Sequence, residues 1–330
     1  METFKSFDSK IYTVNDTSFT DIALDVFQFQ ATNNKLYRNY IELLKVNAPD
    51  IRSLESIPFL PISFFKTHEI RTGDWAPETK FRSSGTTNTT ASTHYVRDIQ
   101  FYLQNAQKCF EYFFGPLTDY HFLALLPSYL ERKDSSLVAM MDHFIRSSDS
   151  PHSAFYLHDY RGLTSKVQAL KNDSRKTILW GVTFALLDLG EQFPQDLSHC
   201  MVFETGGMKG RRREMTRNEL EDTLKNKLGV KTLFSEYGMT ELLSQGYSKG
   251  VNLGFFCPPW MRVMCRDITD PLEKGLLSQS GGINVIDLAN WNTISFIETE
   301  DLGKAYADGS FEVLGRLDNS DLRGCNLMIT

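Results

Sequence analysis

Between residues 121 and 229 the chain alternates short apolar runs with stretches of helical spacing, and that alternation restricts the fold more than any other feature. His121-Phe-Leu-Ala-Leu-Leu-Pro127, Thr177-Ile-Leu-Trp-Gly-Val182 and Cys200-Met-Val-Phe-Glu204 are short and almost continuously apolar, as strands buried on both faces are. Ser136 to Phe144 has helical periodicity between two of them. Thr216-x-x-Glu219 has the spacing of a capping box and opens a helix that Gly229 stops. Strand, helix, strand at this spacing implies a largely parallel sheet with helices packed on its faces.

The flanks differ in texture. Residues 1–60 are expected to be helical, with Ile22, Leu24, Val26, Phe27, Leu36, Tyr37, Ile41, Leu43 and Leu44 at helical spacing between Asp21 and Val46. Pro58, Pro61 and Phe64-Phe65 form an extended connector. After Gly250 come short runs punctuated by glycine: Gly275–Gln279, Gly281–Leu288, Thr293–Ile297 and Gly309–Gly315, an antiparallel β subdomain. The hydrophobic share of 41%, with 24 Phe and 13 Tyr, is enough for a large core. The expected parts are therefore 1–75 helical, 76–250 α/β and 251–318 β, followed by a tail at 319–330.

Charge and cysteine usage narrow the function classes. A net charge of −6 argues against general nucleic-acid binding, and the basic run Lys209–Arg213 is expected to be a solvated helix start. The five cysteines (109, 200, 257, 265 and 325) have neither C-x-x-C nor zinc spacing and suit a reducing cytoplasm. No signal-peptide pattern and no membrane span are expected.

Four segments have the composition of ligand-binding loops. Ser83, Ser84, Thr86 and Thr87 flank Gly85 in a stretch of eight hydroxyl residues between Arg82 and His94. A glycine turn with successive N–H groups and hydroxyl donors suits a phosphate chain, although such a stretch is equally an exposed loop. There is no G-x-x-x-x-G-K-[ST] phosphate loop. Gly206 and Gly207 follow a buried strand, where ligands bind in open α/β sheets or where a plain turn occurs. Tyr237-Gly-Met-Thr240-Glu241 could hold a ring, a phosphate and Mg²⁺, or simply end a strand and cap a helix. Glu300-Asp301-Leu-Gly303 and Gly315-Arg316-Leu-Asp318 offer an Asp for ribose hydroxyls with an Arg to assist; taken alone, both are hairpin turns.

In this order and separation, SSGTT, the GG loop, YGMTE, EDLG and GRLD resemble the adenylate-forming superfamily of acyl-CoA synthetases, adenylation domains and luciferases. The resemblance runs from about residue 80 to 325. ETGGMKGR, PISFFK, LLPSYL followed by SSL, and RGCNLMI are most similar to the acyl-protein synthetases of bacterial bioluminescence operons. This implies an α/β, adenylate-forming large domain with parallel sheets flanked by helices, a small antiparallel β subdomain and no C-terminal lid domain. It also implies ATP and Mg²⁺ as cofactors and a fatty acid as substrate, with transfer to a protein thiol and an acyl-accepting reductase as partner. By position, Ser83, Ser84, Gly85, Thr86 and Thr87 would cradle the β- and γ-phosphates. Gly206, Gly207 and Tyr237 would hold adenine, Thr240 the α-phosphate and Glu241 the metal. Asp301, with Arg316, would bind ribose; Asp318 would be the hinge, and Cys325 the acyl-carrying thiol.

Two departures from the superfamily pattern matter. The phosphate loop continues Asn88-Thr-Thr-Ala-Ser where a lysine is usual, which shifts pyrophosphate neutralisation to Mg²⁺ and to Lys209 or Arg211. The chain also has only twelve residues after Asp318, too few for a lid with its catalytic lysine. Two alternatives are a phenylacetate-type CoA ligase with its lid on another chain, and a non-catalytic adenylate-binding module. The remaining cysteines are assigned to packing, and His121, His143 and His158 to structural roles; no Ser-His-Asp arrangement stands out.

Overall fold

The computed structural model describes residues 5–83, 90–126, 134–206, 215–250, 253–270 and 273–317. Helices α1 (Lys5–Ile11), α2 (Phe19–Asn33) and α3 (Lys35–Leu43) come first. The helical stretch expected from Asp21 to Val46 is broken at Asn34. Its backbone turns extended, and its side-chain oxygen accepts from the Tyr37 N–H at 3.0 Å to cap α3. Asn is among the strongest N-caps, which explains the break within an otherwise helical pattern. Strand β1 (Leu60–Pro61) and the short helix α4 (Phe64–Thr67) follow.

The middle of the chain alternates as its sequence requires. A hairpin of β2 (Thr79–Arg82) and β3 (Thr93–Val96) leads into α5 (Ile99–Phe114). Then come β4 (Tyr120–Leu125), α6 (Ser136–Ser147), β5 (Ala154–Phe155), α7 (Tyr160–Ala169) and β6 (Lys176–Val182). They are followed by α8 (Thr183–Gln192), β7 (Cys200–Thr205), α9 (Arg217–Leu228), β8 (Leu233–Tyr237) and β9 (Gly246–Ser248). Strands β5-β4-β6-β7-β8-β9 form one sheet, parallel throughout except for antiparallel β9. Its core is aromatic: Trp180 stacks on Phe203 at 4.7 Å, Phe203 on Phe234 at 5.0 Å, and Phe110 of α5 covers this row. At α9 both halves of the capping box form, and Gly229 ends the helix in the left-handed conformation.

The last strands are β10 (Met261–Arg266), β11 (Lys274–Leu276), β12 (Gly281–Asp287), β13 (Phe296–Ala305) and β14 (Phe311–Arg316). They pair antiparallel in the order β13-β12-β10-β11, with β14 on β13, and β1 joins β13 in parallel. The strand expected from Thr293 begins only at Phe296, because the Asp287 side chain accepts from the Ala289 N–H and caps a tight turn over Leu288–Asn292. Both EDLG and the GR of GRLD lie inside strands, not in hairpin turns; the turn between them is at Tyr306–Ser310.

Two compact units result, one combining residues 1–76 with 257–330 and the other running from Pro77 to Phe256. In the first, Gln30 of α2 donates to the Trp291 carbonyl at 2.9 Å and accepts from the Ser295 N–H at 3.0 Å, fastening helix to sheet. No helix among the described residues is long and apolar enough to cross a membrane.

Candidate functional site

Strands β6, β7 and β8 end side by side, and the residues after them form the carboxyl edge where open α/β sheets place ligands. Gly206 adopts φ 67°, a left-handed conformation that favours glycine, and its carbonyl accepts from the Thr183 hydroxyl. Because strand residues alternate between faces, the registers sort the edge into two sides. Glu204 and Ser235 are paired and share one side with Tyr237; Thr205, Glu236 and Tyr247 share the other.

On the first side, Arg217 at the start of α9 donates to the Ser235 hydroxyl at 2.8 Å and lies 4.6 Å over the Phe255 ring. Tyr237 is 8% exposed, its ring 5.9 Å from Phe255. Glu204 accepts from the Thr183 hydroxyl at 3.1 Å. Burial pushes its carboxyl above the usual glutamate range, while Ser235, Arg217 and Thr183 pull it back. On the second side, Glu236 accepts from the Thr205 hydroxyl. Burial drives its carboxyl up to about 7; the Thr205 bond opposes that, and Glu204 adds to it.

The base of the β2–β3 hairpin and YGMTE are tied together. Ser83 closes the base of the β2–β3 hairpin, its hydroxyl accepting from the Ser92 N–H at 2.9 Å. Two residues on, His94 is fully buried, and its Nδ1 donates to the Thr240 carbonyl at 2.8 Å, an assignment that fixes the ring's proton on that nitrogen. The base of the hairpin, Thr240 and Glu241 thus sit together, with Glu241 only 5% exposed. Among the described residues no group of three His, Cys, Asp or Glu side chains could hold a metal. One carboxylate nevertheless fits Mg²⁺, which takes few protein oxygens and completes its shell with water and phosphate.

In the other unit, Asp301 of β13 stands directly across from Arg316 of β14, with Nε 3.8 Å from Oδ1. Gly303 permits the close approach of these strands, since a Cβ there would collide with the Glu312 carbonyl. Ser84, Gly85, Thr86, Thr87, Gly207, Lys209, Arg211, Asp318 and Cys325 lie outside the described residues. Cys109, Cys200 and Cys265 are buried, as packing requires. Burial, with Asp196 nearby, pushes the Cys200 thiol up to about 12, and burial raises that of Cys265, so neither is a ready nucleophile.

Sequence reasoning assigned no role to His94, Glu204, Arg217 or Glu236. The signals were there: His94 falls in the same stretch as the hydroxyls, and Glu204 and Glu236 each interrupt an apolar strand near its end. A Ser-His-Asp chain is also present, contrary to expectation. Ser150 Oγ is 2.6 Å from His121 Nδ1, and His121 Nε2 is 3.1 Å from Asp173. It sits at the amino ends of the strands, away from the carboxyl edge, and joins the segments that enter β4, β5 and β6.

No protein-family model matches the sequence, and comparison with curated proteins finds no match. Solved structures do resemble it. ATP-bound MatB from Rhodopseudomonas palustris superposes with a TM-score of 0.53 at 15% identity, over 74% of this chain and 49% of that one. A 2-hydroxyisobutyryl-CoA ligase, solved with 2-HIB-AMP and CoA, gives 0.66 at 14% identity, over 92% and 68%. A long-chain-fatty-acid-CoA ligase from Archaeoglobus fulgidus gives 0.50 at 13%, over 74% and 52%. The matched region is about half of the length of MatB. The chain has the fold of the large domain of adenylate-forming ligases.

Proposed function

We propose that the protein is an AMP-forming acid–thiol ligase: it condenses a carboxylic acid with ATP to an acyl-adenylate, releases pyrophosphate, and passes the acyl group to a thiol. The observation that carries this reading is the junction at the carboxyl edge. There the His94–Thr240 bond holds the base of the β2–β3 hairpin against YGMTE, beside Gly206 and Tyr237, in a fold shared with adenylate-forming ligases.

In the first half-reaction a carboxylate oxygen of the acid forms a bond to the α-phosphorus as the bond to pyrophosphate breaks. The residues' task is positional and electrostatic. Tyr237, Gly206 and Gly207 would flank adenine, Thr240 would meet the α-phosphate, and residues 83–87 would donate to the outer phosphates. Glu241 would hold Mg²⁺, which when bound offsets phosphate charge. Asp301 is assigned to the ribose hydroxyls, with the Arg316 guanidinium beside it to assist. In the second half, a thiolate attacks the acyl carbon and AMP leaves with the bonding electrons. We assign that thiol to Cys325, the acid to the fatty acids, and the final acceptor to a partner reductase, as the likeness to acyl-protein synthetases suggests.

ATP–pyrophosphate exchange over a panel of acids tests the first half, and Glu241→Gln is expected to abolish it with the fold intact. Mass spectrometry after incubation with ATP, Mg²⁺ and the best acid should find the acyl group on Cys325 and none on Cys325→Ser. Exchange with no acid of the panel would refute the ligase reading; exchange without acylation of Cys325 would move the acceptor elsewhere.

A further inference from the structure

On the reading just given, the nucleotide occupies the side of the sheet edge that carries Tyr237, which leaves the Thr205–Glu236 side for the acid. That side is not a plain hydrocarbon lining. We infer that Glu236 and Gln245 form a polar acyl subsite, and that the preferred acid carries a hydrogen-bond-donating substituent, a hydroxyl or an amine, on its chain.

Three observations support this. First, Glu236 is aimed at Gly238. One carboxyl oxygen accepts from Thr205, while the other lies where a Cβ on residue 238 would stand, so only glycine at 238 leaves room for it. Gly206 and Gly238, which follow the two strands, are both exposed, so the subsite opens at the sheet edge. Second, Gln245 meets the same point. Its Cγ is 3.3 Å from that Cβ position, and its Nε2 is spent on the Leu243 carbonyl at 3.1 Å. Its Oε1 is left without a donor, although the residue is only 3% exposed. Third, directly across from Glu236, the Tyr247 hydroxyl, which can accept as well as donate, is fully buried without a hydrogen-bond partner.

A buried amide oxygen left unsatisfied costs free energy that a bound donor recovers, and an unsubstituted alkyl chain cannot supply one. It would also force Glu236 to shed water onto hydrocarbon. A hydroxyl or amine between Glu236 and Gln245 satisfies both acceptors. The Tyr247 ring packs with Trp180, Phe110 and Phe114, and the last two also meet Phe203.

The test is ATP–pyrophosphate exchange with acids of matched chain length bearing hydrogen, hydroxyl or amine at each position along the chain. The parent should favour one substituted acid over its unsubstituted counterpart by at least about tenfold in kcat/KM, since sites built to bond a polar group reject analogues that lack it. Glu236→Gln separates the two sources: it should keep a hydroxyl preference and lose an amine preference, because only the amine needs the carboxylate's charge. Gln245→Leu, with retained near-ultraviolet dichroism as the check on folding, should reduce either preference about tenfold. A parent that favours the unsubstituted acid, with the ratio unmoved in both variants, overturns the subsite while leaving the ligase reading standing. Absence of exchange with every acid overturns the ligase reading, and the subsite with it.

Discussion

Glu236→Gln should make the protein's stability less sensitive to alkali. In the folded chain burial lifts this carboxyl to about 7, against an ordinary glutamate value of 4.5. Because the folded value lies above the unfolded one, the native state holds the proton more tightly. The resulting stabilisation is complete below about pH 4.5 and is lost as pH rises through about 7. At ~1.4 kcal/mol per pH unit the gap corresponds to on the order of 3 kcal/mol, and water reaching the half-buried carboxyl trims that to about 2. The titratable groups that act on Glu236 are Glu204, across the sheet on β7, Tyr102 on α5 and Tyr247 on β9. Burial pushes both tyrosines far above their usual range, so they stay protonated throughout, and Glu204 is common to parent and variant. Thermal unfolding followed by circular dichroism at pH 5.5 and pH 8.5, at one ionic strength, reads the effect. Relative to the parent, the variant should gain roughly 4 °C in Tm between those conditions. A Tm difference that does not change with pH, or that changes in the parent's favour as pH rises, would refute the burial argument.

Further expectations concern particular local devices. Thr216→Ala removes the cap that α9 uses and should cost about 1 kcal/mol in urea unfolding; Glu219→Ala added to it should cost less than on its own, because the two side chains share one motif. Gly229→Ala places a Cβ at φ 60° and 2.9 Å from an Asp196 oxygen, and should destabilise by on the order of 1–2 kcal/mol in the same assay. His94→Leu cuts the bond to the Thr240 carbonyl and should lower pyrophosphate exchange at least about tenfold. Full-rate exchange in that variant would separate the hairpin from the chemistry.

What could be read from the sequence depended on how local the determining physics is. Strands β4, β6 and β7 were legible because burial on both faces removes polar alternation, and the start of α9 was legible because its cap is four residues long. Strand β10 was not anticipated. It holds Arg266, a residue that pattern reading assigns to a surface, yet the guanidinium is buried and donates to the Ile283 and Thr299 carbonyls and to Asn284. The attachment of α2 to residues 290–295 was equally invisible, since Gln30 and Trp291 are joined only by folding. At the candidate site, Ser83, Gly206, Tyr237 and Thr240 were visible as strand ends with glycine or hydroxyl chemistry. His94 was not, because its role is a bond to a main-chain carbonyl 146 residues away. Neither was the proton affinity of Glu236, which follows from what packs around the strand and not from the strand's own composition.

The division of labour proposed at the sheet edge rests on the register of one five-residue strand. Ser235 and Tyr237 face the side assigned to the nucleotide, and Glu236 between them faces the side assigned to the acid, so a slip of one residue would exchange the two chemistries. Two neighbours with different pairing geometry fix that register. On one flank β7 is parallel and sets Glu204 against Ser235; on the other, β9 is antiparallel and sets Tyr247 against Glu236 and Gly246 against Tyr237. A parallel neighbour alone would leave the strand's free edge open at the point where it supplies both sides. The antiparallel return at β9 closes that edge with the segment that follows YGMTE, so the motif is anchored at both of its ends. This gives the antiparallel strand in an otherwise parallel sheet a physical role: it holds Tyr237 and Glu236 on opposite faces, while Gly238 leaves room for the Glu236 carboxyl as the chain exits the strand.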